Sequence, residues 1–198
     1  PNFVAAYFDH SGLYSFGRQP EAVFWNLQQL AGCLSLVTDQ ADLLATLNSF
    51  SDLYRAALRE AMLKRLGLGS QGAEADTALV NAAFRALADG GEALRWEPFF
   101  FDWFGGEAST ERALWGPRAH LYEREAFLDL RRRFAGFTPD RPERLSHPVF
   151  QRQEPEELII DEVEALWSPI AEADDWAPLR AKLARIEAVR QAYALDQG

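Results

Sequence analysis

A helical period of apolar residues runs unbroken from residue 43 to residue 66. Its members follow one another at intervals of three or four residues: Leu43, Leu47, Phe50, Tyr54, Leu58, Met62 and Leu66. Residues at these intervals share one face of an α-helix, whereas a strand would need alternation at every second residue. Asp39 precedes the period and Gly67 follows it, which predicts an N-terminal cap and a helix stop. A long helix with one apolar face is therefore the first constraint on the fold.

Further helices are predicted on both sides of this one. They are expected from Pro20 to about residue 37, from about Asp76 to Ala88, from about Arg118 to Phe134, and from Glu156 and Asp175 onward. Pro169 is expected to interrupt the helix that begins at Glu156, with Ser168 capping the restart. Four prolines between residues 136 and 155 predict an extended crossing there. Because no strand-like alternation exceeds a few residues, the predicted fold class is all-α, a multi-helix domain.

Two apolar segments are expected to lie in the core. The helix from Pro20 is apolar over more than half of its surface, which predicts burial on several sides and core positions for Trp25 and Asn26. Residues 96–104 contain six aromatic residues out of nine, too many to leave in water. The alternative for that run is an exposed apolar face that docks another region.

Charge and composition exclude several classes of protein. The 198 residues carry a net charge of −10, which argues against a nucleic-acid binder. No apolar run approaches the roughly 20 residues of a membrane helix. The single cysteine, Cys33, cannot form an internal disulfide, which fits a reducing, cytoplasmic location.

Spacing alone reveals no catalytic or metal site. His10, His120, His147 and Cys33 are not at ligand spacing, so no metal site is predicted. The acidic groups around Glu156 are expected to be solvated helix faces. Residues 131–133 are three arginines that could hold a phosphate, but cations are expected near a helix C-terminus in any case.

The N-terminal thirty residues carry a more specific pattern. A D-x-x-G-x-Y-x-[FY] stretch is followed by Q-P and by W-N-L-x-x-L-A, matched here by Asp9, Gly12, Tyr14, Phe16, Gln19, Pro20, Trp25, Asn26, Leu27, Leu30 and Ala31. This pattern resembles the selenoprotein O family. The resemblance continues at Tyr54, at residues 64–68 and at Asp76 and Leu79, and it weakens after Gly106. The expected division is therefore a family-like helical region at 1–106 and a divergent helical region at 107–198, together one structural unit.

The resemblance implies a fold and an activity. The family has a protein-kinase-like fold and transfers AMP from ATP to protein Ser, Thr or Tyr hydroxyls, with magnesium. This chain would be its C-terminal helical part, and the nucleotide-binding, catalytic and metal-binding residues would lie upstream of the family's equivalent of Pro1. The expected partners are that upstream kinase-like region and protein substrates. The alternative is a free-standing helical interaction domain that has lost catalysis.

The same resemblance selects candidate contact residues. Asp9, His10, Tyr14, Arg18 and Gln19 fall in the family's activation-segment region and could touch the nucleotide cleft or the acceptor protein. The alternative is structural: Asp9 and Arg18 brace the loop, and Tyr14 and Phe16 pack beneath it. Ala5 stands where some family members have a regulatory disulfide cysteine, so that redox control is expected to be absent.

Overall fold

The structure is a computed structural model that describes residues 4–5 and 7–194. The described residues contain eight α-helices, α1 to α8: Gln19–Leu34, Gln40–Leu66, Ala73–Gly90, Trp96–Trp103, Thr110–Trp115, Glu125–Phe134, Ile160–Ala173 and Ala177–Ala192. They contain no strand, only an isolated bridge between Leu68 and Pro139. The all-α prediction is confirmed for these residues. None of their helices is long and apolar enough to cross a membrane.

The chain divides into two compact units, Pro1–Leu58 and Arg59–Gly198. Of the predicted regions 1–106 and 107–198, residues 1–3, residue 6 and residues 195–198 lie outside the described part of the chain. The division expected at residue 106 stays a prediction.

In the first unit, α1 lies against α2. Phe24 stacks on Phe50, with 5.2 Å between ring centroids, and Phe50 stacks on Tyr54. No residue of α1 is buried, and Trp25 is 59% exposed. The core positions predicted for Trp25 and Asn26 are therefore wrong, because one neighbouring helix can cover only one face of α1.

The second unit is built around the aromatic run. Phe99, Phe101, Trp103 and Phe104 are buried, while Trp96 is partly exposed at the start of α4. Phe104 stacks on Phe150 at 4.6 Å between ring centroids, nearly parallel, and Trp103 stacks on Phe134. The prediction that this run forms core is confirmed for the buried members, since aromatic pairs at these distances add to the free energy of burial.

Gly67 ends α2 for two reasons. Its φ of +64° lies in the left-handed region, and a Cβ there would come within 2.6 Å of the Phe104 ring. Glycine is the residue that meets both demands. The predicted stop at Gly67 is confirmed, and it brings the end of α2 against the aromatic core.

A buried charge network joins α4 to the segments that follow it. The Asp102 carboxylate, which is 1% exposed, accepts hydrogen bonds from Arg118 Nε at 2.7 Å and Arg118 Nη2 at 3.0 Å. Arg118 Nη1 also donates to Glu154 at 2.6 Å, and the Tyr122 hydroxyl donates to Asp102. Burial favours a lower pKa for Arg118, but the Asp102 and Glu154 carboxylates raise it overall. Arg118 therefore stays charged.

The region after residue 116 departs from the predicted helices. The helix expected from Arg118 is a short 3₁₀ turn, Ala119–Leu121, followed by α6 from Glu125. The predicted helix would begin at Arg118, but the Arg118 side chain is hydrogen-bonded to the carboxylates of Asp102 and Glu154. The proline-rich stretch is not purely extended, because Pro142 and Pro148 each open a 3₁₀ turn, where a missing N–H costs nothing.

The last two helices correct two further predictions. Pro169 lies inside α7 without ending it, and the Ser168 hydroxyl donates to Glu172 at 2.7 Å instead of capping a restart. The helix expected from Glu156 begins at Ile160, because Glu156 is held by a buried lysine. Lys182 Nζ, 1% exposed, lies 2.8 Å from Glu156 and 2.6 Å from Glu162, and also donates to the Glu157 carbonyl. Glu156 is therefore not a solvated helix residue.

Replacing Asp102 with Asn tests the buried network. The substitution keeps the shape of the side chain but removes its charge beside Arg118, so we expect the free energy of unfolding to fall by about 3–5 kcal/mol. Urea denaturation measures the change. The matched control is Asp129→Asn, whose partners Arg85 and Arg133 are more exposed, with an expected loss within about 1 kcal/mol. Equal losses in the two variants would contradict the importance of burial.

Glu156 gives an acid-dependent prediction. Burial raises the pKa of its carboxyl, but Lys182 and Arg185 lower it overall, so its stabilisation is present above the unfolded pKa of about 4.3 and is lost as the pH falls through the folded value. We therefore expect Glu156→Gln to destabilise the protein at pH 7 and to do so less at about pH 4. Urea unfolding at both pH values measures this. The exposed control Glu164→Gln should show no such change, and a pH-independent loss in Glu156→Gln would contradict the argument.

Candidate functional site

The first unit contains a loop that Asp9 holds closed. Its Oδ1 accepts hydrogen bonds from the Ser11 N–H at 3.2 Å and the Ser11 hydroxyl at 3.0 Å, and its Oδ2 accepts one from the Tyr14 N–H at 2.7 Å. The Tyr14 N–H is the main cause that lowers the pKa of the Asp9 carboxyl below its usual value. Gly12, with φ of +72°, allows the turn between these partners. Asp9 thus braces the loop, as the structural alternative predicted.

The aromatic side chains of this loop face solvent. Tyr14 is 62% and Phe16 59% exposed, so the expectation that they pack beneath the loop is wrong. Ser15 is the buried residue of this stretch, and the Asp9 hydrogen bonds hold the turn without an aromatic ring beneath it. Phe8 contacts Tyr7 and Tyr14 edge to face, at 5.6 and 6.0 Å between ring centroids. The loop therefore presents an aromatic surface, defined here as Tyr7, Phe8 and Tyr14.

Arg18 and Gln19 lie where the loop enters α1. Arg18 Nε donates to Glu21 at 2.9 Å, and both side chains are largely exposed. Gln19 is the first residue of α1 and, like His10, is exposed. Asp9 and Tyr14 are joined by a hydrogen bond, but among the described residues no hydrogen bond or ion pair joins Arg18 to Asp9. The five candidates therefore form two groups that follow each other along the chain: Asp9, His10 and Tyr14 in the loop, and Arg18 and Gln19 at the start of α1.

This loop does not fit a magnesium ion. The Asp9 oxygens already accept three hydrogen bonds from within the loop, so most of the acceptor positions of this carboxylate are filled. Across residues 4–5 and 7–194, no group of three or more His, Cys, Asp or Glu side chains is placed to hold a metal ion. What the loop offers instead is a braced backbone, exposed aromatic rings and exposed polar side chains.

Sequence reasoning missed three charged residues of low exposure in the second unit, Asp102, Arg118 and Lys182. For Asp102 a signal was present, because a carboxylate inside an aromatic run must be buried with a partner. Its partner Arg118 follows 16 positions later, beyond the reach of helical periodicity. Lys182 and its partners Glu156 and Glu162 are likewise joined only by the tertiary fold.

A family model and individual relatives of this chain indicate the same protein family. The family model described as protein adenylyltransferase SelO matches residues 1–187. A protein nucleotidyltransferase YdiU of Gloeobacter violaceus is 32% identical over 98% of this chain and 41% of its own length. The YdiU of Trichodesmium erythraeum is 28% identical over 94% of this chain and 40% of its own length. That of Pseudomonas aeruginosa is 37% identical over 64% of this chain and 25% of its own length.

The chain thus spans about two fifths of the length of the first two relatives. None of the solved structures matches it. The family match extends well beyond Gly106, where the resemblance of individual residues becomes weak. Because this match covers nearly the whole sequence, the chain belongs to the SelO family of protein nucleotidyltransferases.

Proposed function

We propose that this chain is the C-terminal helical part of a SelO-type protein adenylyltransferase, which moves AMP from ATP to protein hydroxyl groups. The observation that carries the proposal is the family match over residues 1–187, together with relatives that are more than twice as long. The ATP-binding, magnesium-binding and catalytic residues are then supplied by an upstream kinase-like region. The cytoplasmic location and the division at residue 106 stay predictions.

The Asp9 loop is the part of this chain that we assign to the acceptor side. Asp9 acts as a positioning residue, since its oxygens accept three hydrogen bonds from Ser11 and Tyr14 within the loop. The exposed rings of Phe8 and Tyr14 supply contact area to a protein substrate. Arg18 donates its Nε–H to Glu21, and its remaining N–H groups are donors for a substrate carboxylate or backbone carbonyl.

Adenylyl transfer depends mostly on positioning and on electrostatic stabilisation around the metal ion. A chain that contributes only the acceptor-side wall would therefore affect the rate through the orientation of the substrate hydroxyl. Loss of orientation by about 1 Å can cost about a hundredfold in rate. Bracing of the Asp9 loop is accordingly the contribution of this chain that an assay can detect.

A second candidate function is an interaction domain without catalysis. The exposed aromatic surface of the loop and the exposed Trp25 on α1 favour it, because large exposed apolar residues often mark contact surfaces. This candidate predicts protein binding without nucleotide transfer.

An AMP-transfer assay separates the two candidates. Labelled ATP and Mg²⁺ are supplied to the protein encoded by the whole gene, called the full product below, and in a separate reaction to the 198-residue chain. We expect label on protein with the former and not with the latter. Transfer by the 198-residue chain alone would overturn the placement of the catalytic residues upstream. ATP binding by the full product without any transfer would favour the interaction domain.

Asp9→Ala in the full product tests the acceptor-side role. Loss of three hydrogen bonds releases the loop, and we expect the rate of AMP transfer to a protein substrate to fall about 10- to 100-fold. ATP affinity, measured by titration, should stay unchanged. The matched control is Asp52→Ala, which removes an exposed carboxylate paired with Arg55 on α2. An unchanged rate in Asp9→Ala, or an equal loss in the control, would contradict the assignment.

A further inference from the structure

Arg112 on α5 is a largely buried cation with no carboxylate partner in the described part of the chain. Its guanidinium carbon lies 5.5 Å from the centre of the Phe101 ring and 5.0 Å from that of Phe150. Nη2 donates to the Phe104 carbonyl at 2.7 Å and to the Ser109 hydroxyl at 2.8 Å. Nε is buried and donates to nothing. Its hydrogen-bond acceptors among the described residues are therefore neutral.

Two other cations of low exposure in this unit, Arg118 and Lys182, have different partners, whereas Arg144, which donates to the Tyr193 carbonyl and has a buried Nη2 without an acceptor, resembles Arg112. Arg118 lies against two carboxylates, and so does Lys182. Burial lowers the pKa of Arg112, in contrast to both of these groups, whose carboxylates raise theirs. A buried cation normally has a hydrogen-bonded counter-ion, because taking its charge out of water is costly. Contacts with two rings and two neutral oxygens offset only part of that cost.

Arg112 lines an open cavity of about 390 Å³, a size within the range of small-molecule sites. Arg152 lines the same cavity, with its guanidinium 3.1 Å from Glu156, and adds a second positive group. Trp115 lines it as well and is 81% exposed, so one face of its indole is open for stacking. Gln151 and Gln153 add amide groups, and Glu111 is the acidic residue of the lining. The cavity thus combines a guanidinium that lacks a counter-ion with an open aromatic face.

We propose that this cavity binds a small molecule through an oxyanion group, a carboxylate or a phosphate, held by Arg112 with the rest of the ligand against Trp115. Nη2 already uses its two N–H groups on the Phe104 carbonyl and the Ser109 hydroxyl, so the donors for the ligand are the Nη1 N–H groups, which have no acceptor among the described residues. Hydrogen bonds between two charged partners are about twice as strong as neutral ones. Such a ligand supplies a directly bonded negative partner, which Arg112 lacks among the described residues, where Asp102 acts on it only at longer range. This inference concerns the second unit alone and does not depend on AMP transfer.

Three probes of similar shape test the charge requirement. Benzoate carries a carboxylate, phenyl phosphate carries a phosphate, and benzamide is a neutral analogue of benzoate. Calorimetric titration of the full product should show that at least one oxyanion binds. We expect its affinity to be about tenfold or more higher than that of benzamide. A preference between benzoate and phenyl phosphate identifies which group the site takes. Equal affinity for benzamide and benzoate, or no binding of either oxyanion up to about 10 mM, would overturn the proposal.

Two variants locate the binding in this cavity. Arg112→Lys keeps the charge but removes the Nη1 donors, and we expect the affinity for the oxyanion to fall about tenfold or more. Trp115→Ala changes an exposed ring, so the fold should persist while the affinity falls. Arg132→Ala, an arginine with a 72% exposed side chain on α6, serves as the matched control and should bind as the parent protein does. Unchanged affinity in Trp115→Ala and Arg112→Lys would place the binding elsewhere and end the proposal.

Discussion

The paired carboxylate of Asp102 is the interaction on which the second unit is organised. Asp102 lies in the middle of the aromatic helix α4, where an uncompensated charge would be severely destabilising. The Arg118 fork and the Tyr122 hydroxyl supply the compensation, and Arg118 extends it to Glu154. Because these partners come from later segments, satisfying one carboxylate fixes where α4, the turn at Ala119–Leu121 and the segment around residue 154 meet. The aromatic stacking of Phe104 and Phe150 then fills the space beside them.

Local signals in the sequence predicted the early helices well, since their determinants are close together in the chain. Asp39 caps α2 through a 2.7 Å hydrogen bond from the Ala41 N–H, and Gly67 ends it in the left-handed conformation. The segments after residue 116 were predicted less well, because tertiary charge pairs decide them. Arg118 and Glu156 both look like helix-starting positions in the sequence, yet each side chain is committed to a distant partner. Pro169 shows the same limit. A proline inside a helix is expected to interrupt it, yet α7 continues through Pro169.

The candidate site was reached by resemblance and not by physical pattern. Nothing in the spacing of Asp9, Ser11 and Tyr14 predicts that one carboxylate closes the loop on itself, although an Asp in a turn commonly accepts hydrogen bonds from nearby N–H groups. The exposure of Tyr14 and Phe16 was equally hidden, because apolar side chains are expected inside and a single sequence does not show what covers them. The five candidates lie in one stretch of the sequence, and their roles, which depend on contacts within the folded loop, stay predictions.

Asp9, in a loop, and Asp76, in the first turn of α3, show how this chain uses carboxylates to hold loops in shape. Asp76, which is 5% exposed, accepts a hydrogen bond from the Ser70 hydroxyl and another from the Gln71 N–H, and so fixes the loop that leads into α3. Asp9 does the same before α1, but in an exposed loop. In both places the negative charge is taken up by donors a few residues away and is not offered to a ligand. Arg112 is a different case, a cation whose hydrogen-bond acceptors among the described residues are neutral and which lines an open cavity, so an external negative charge can contribute there.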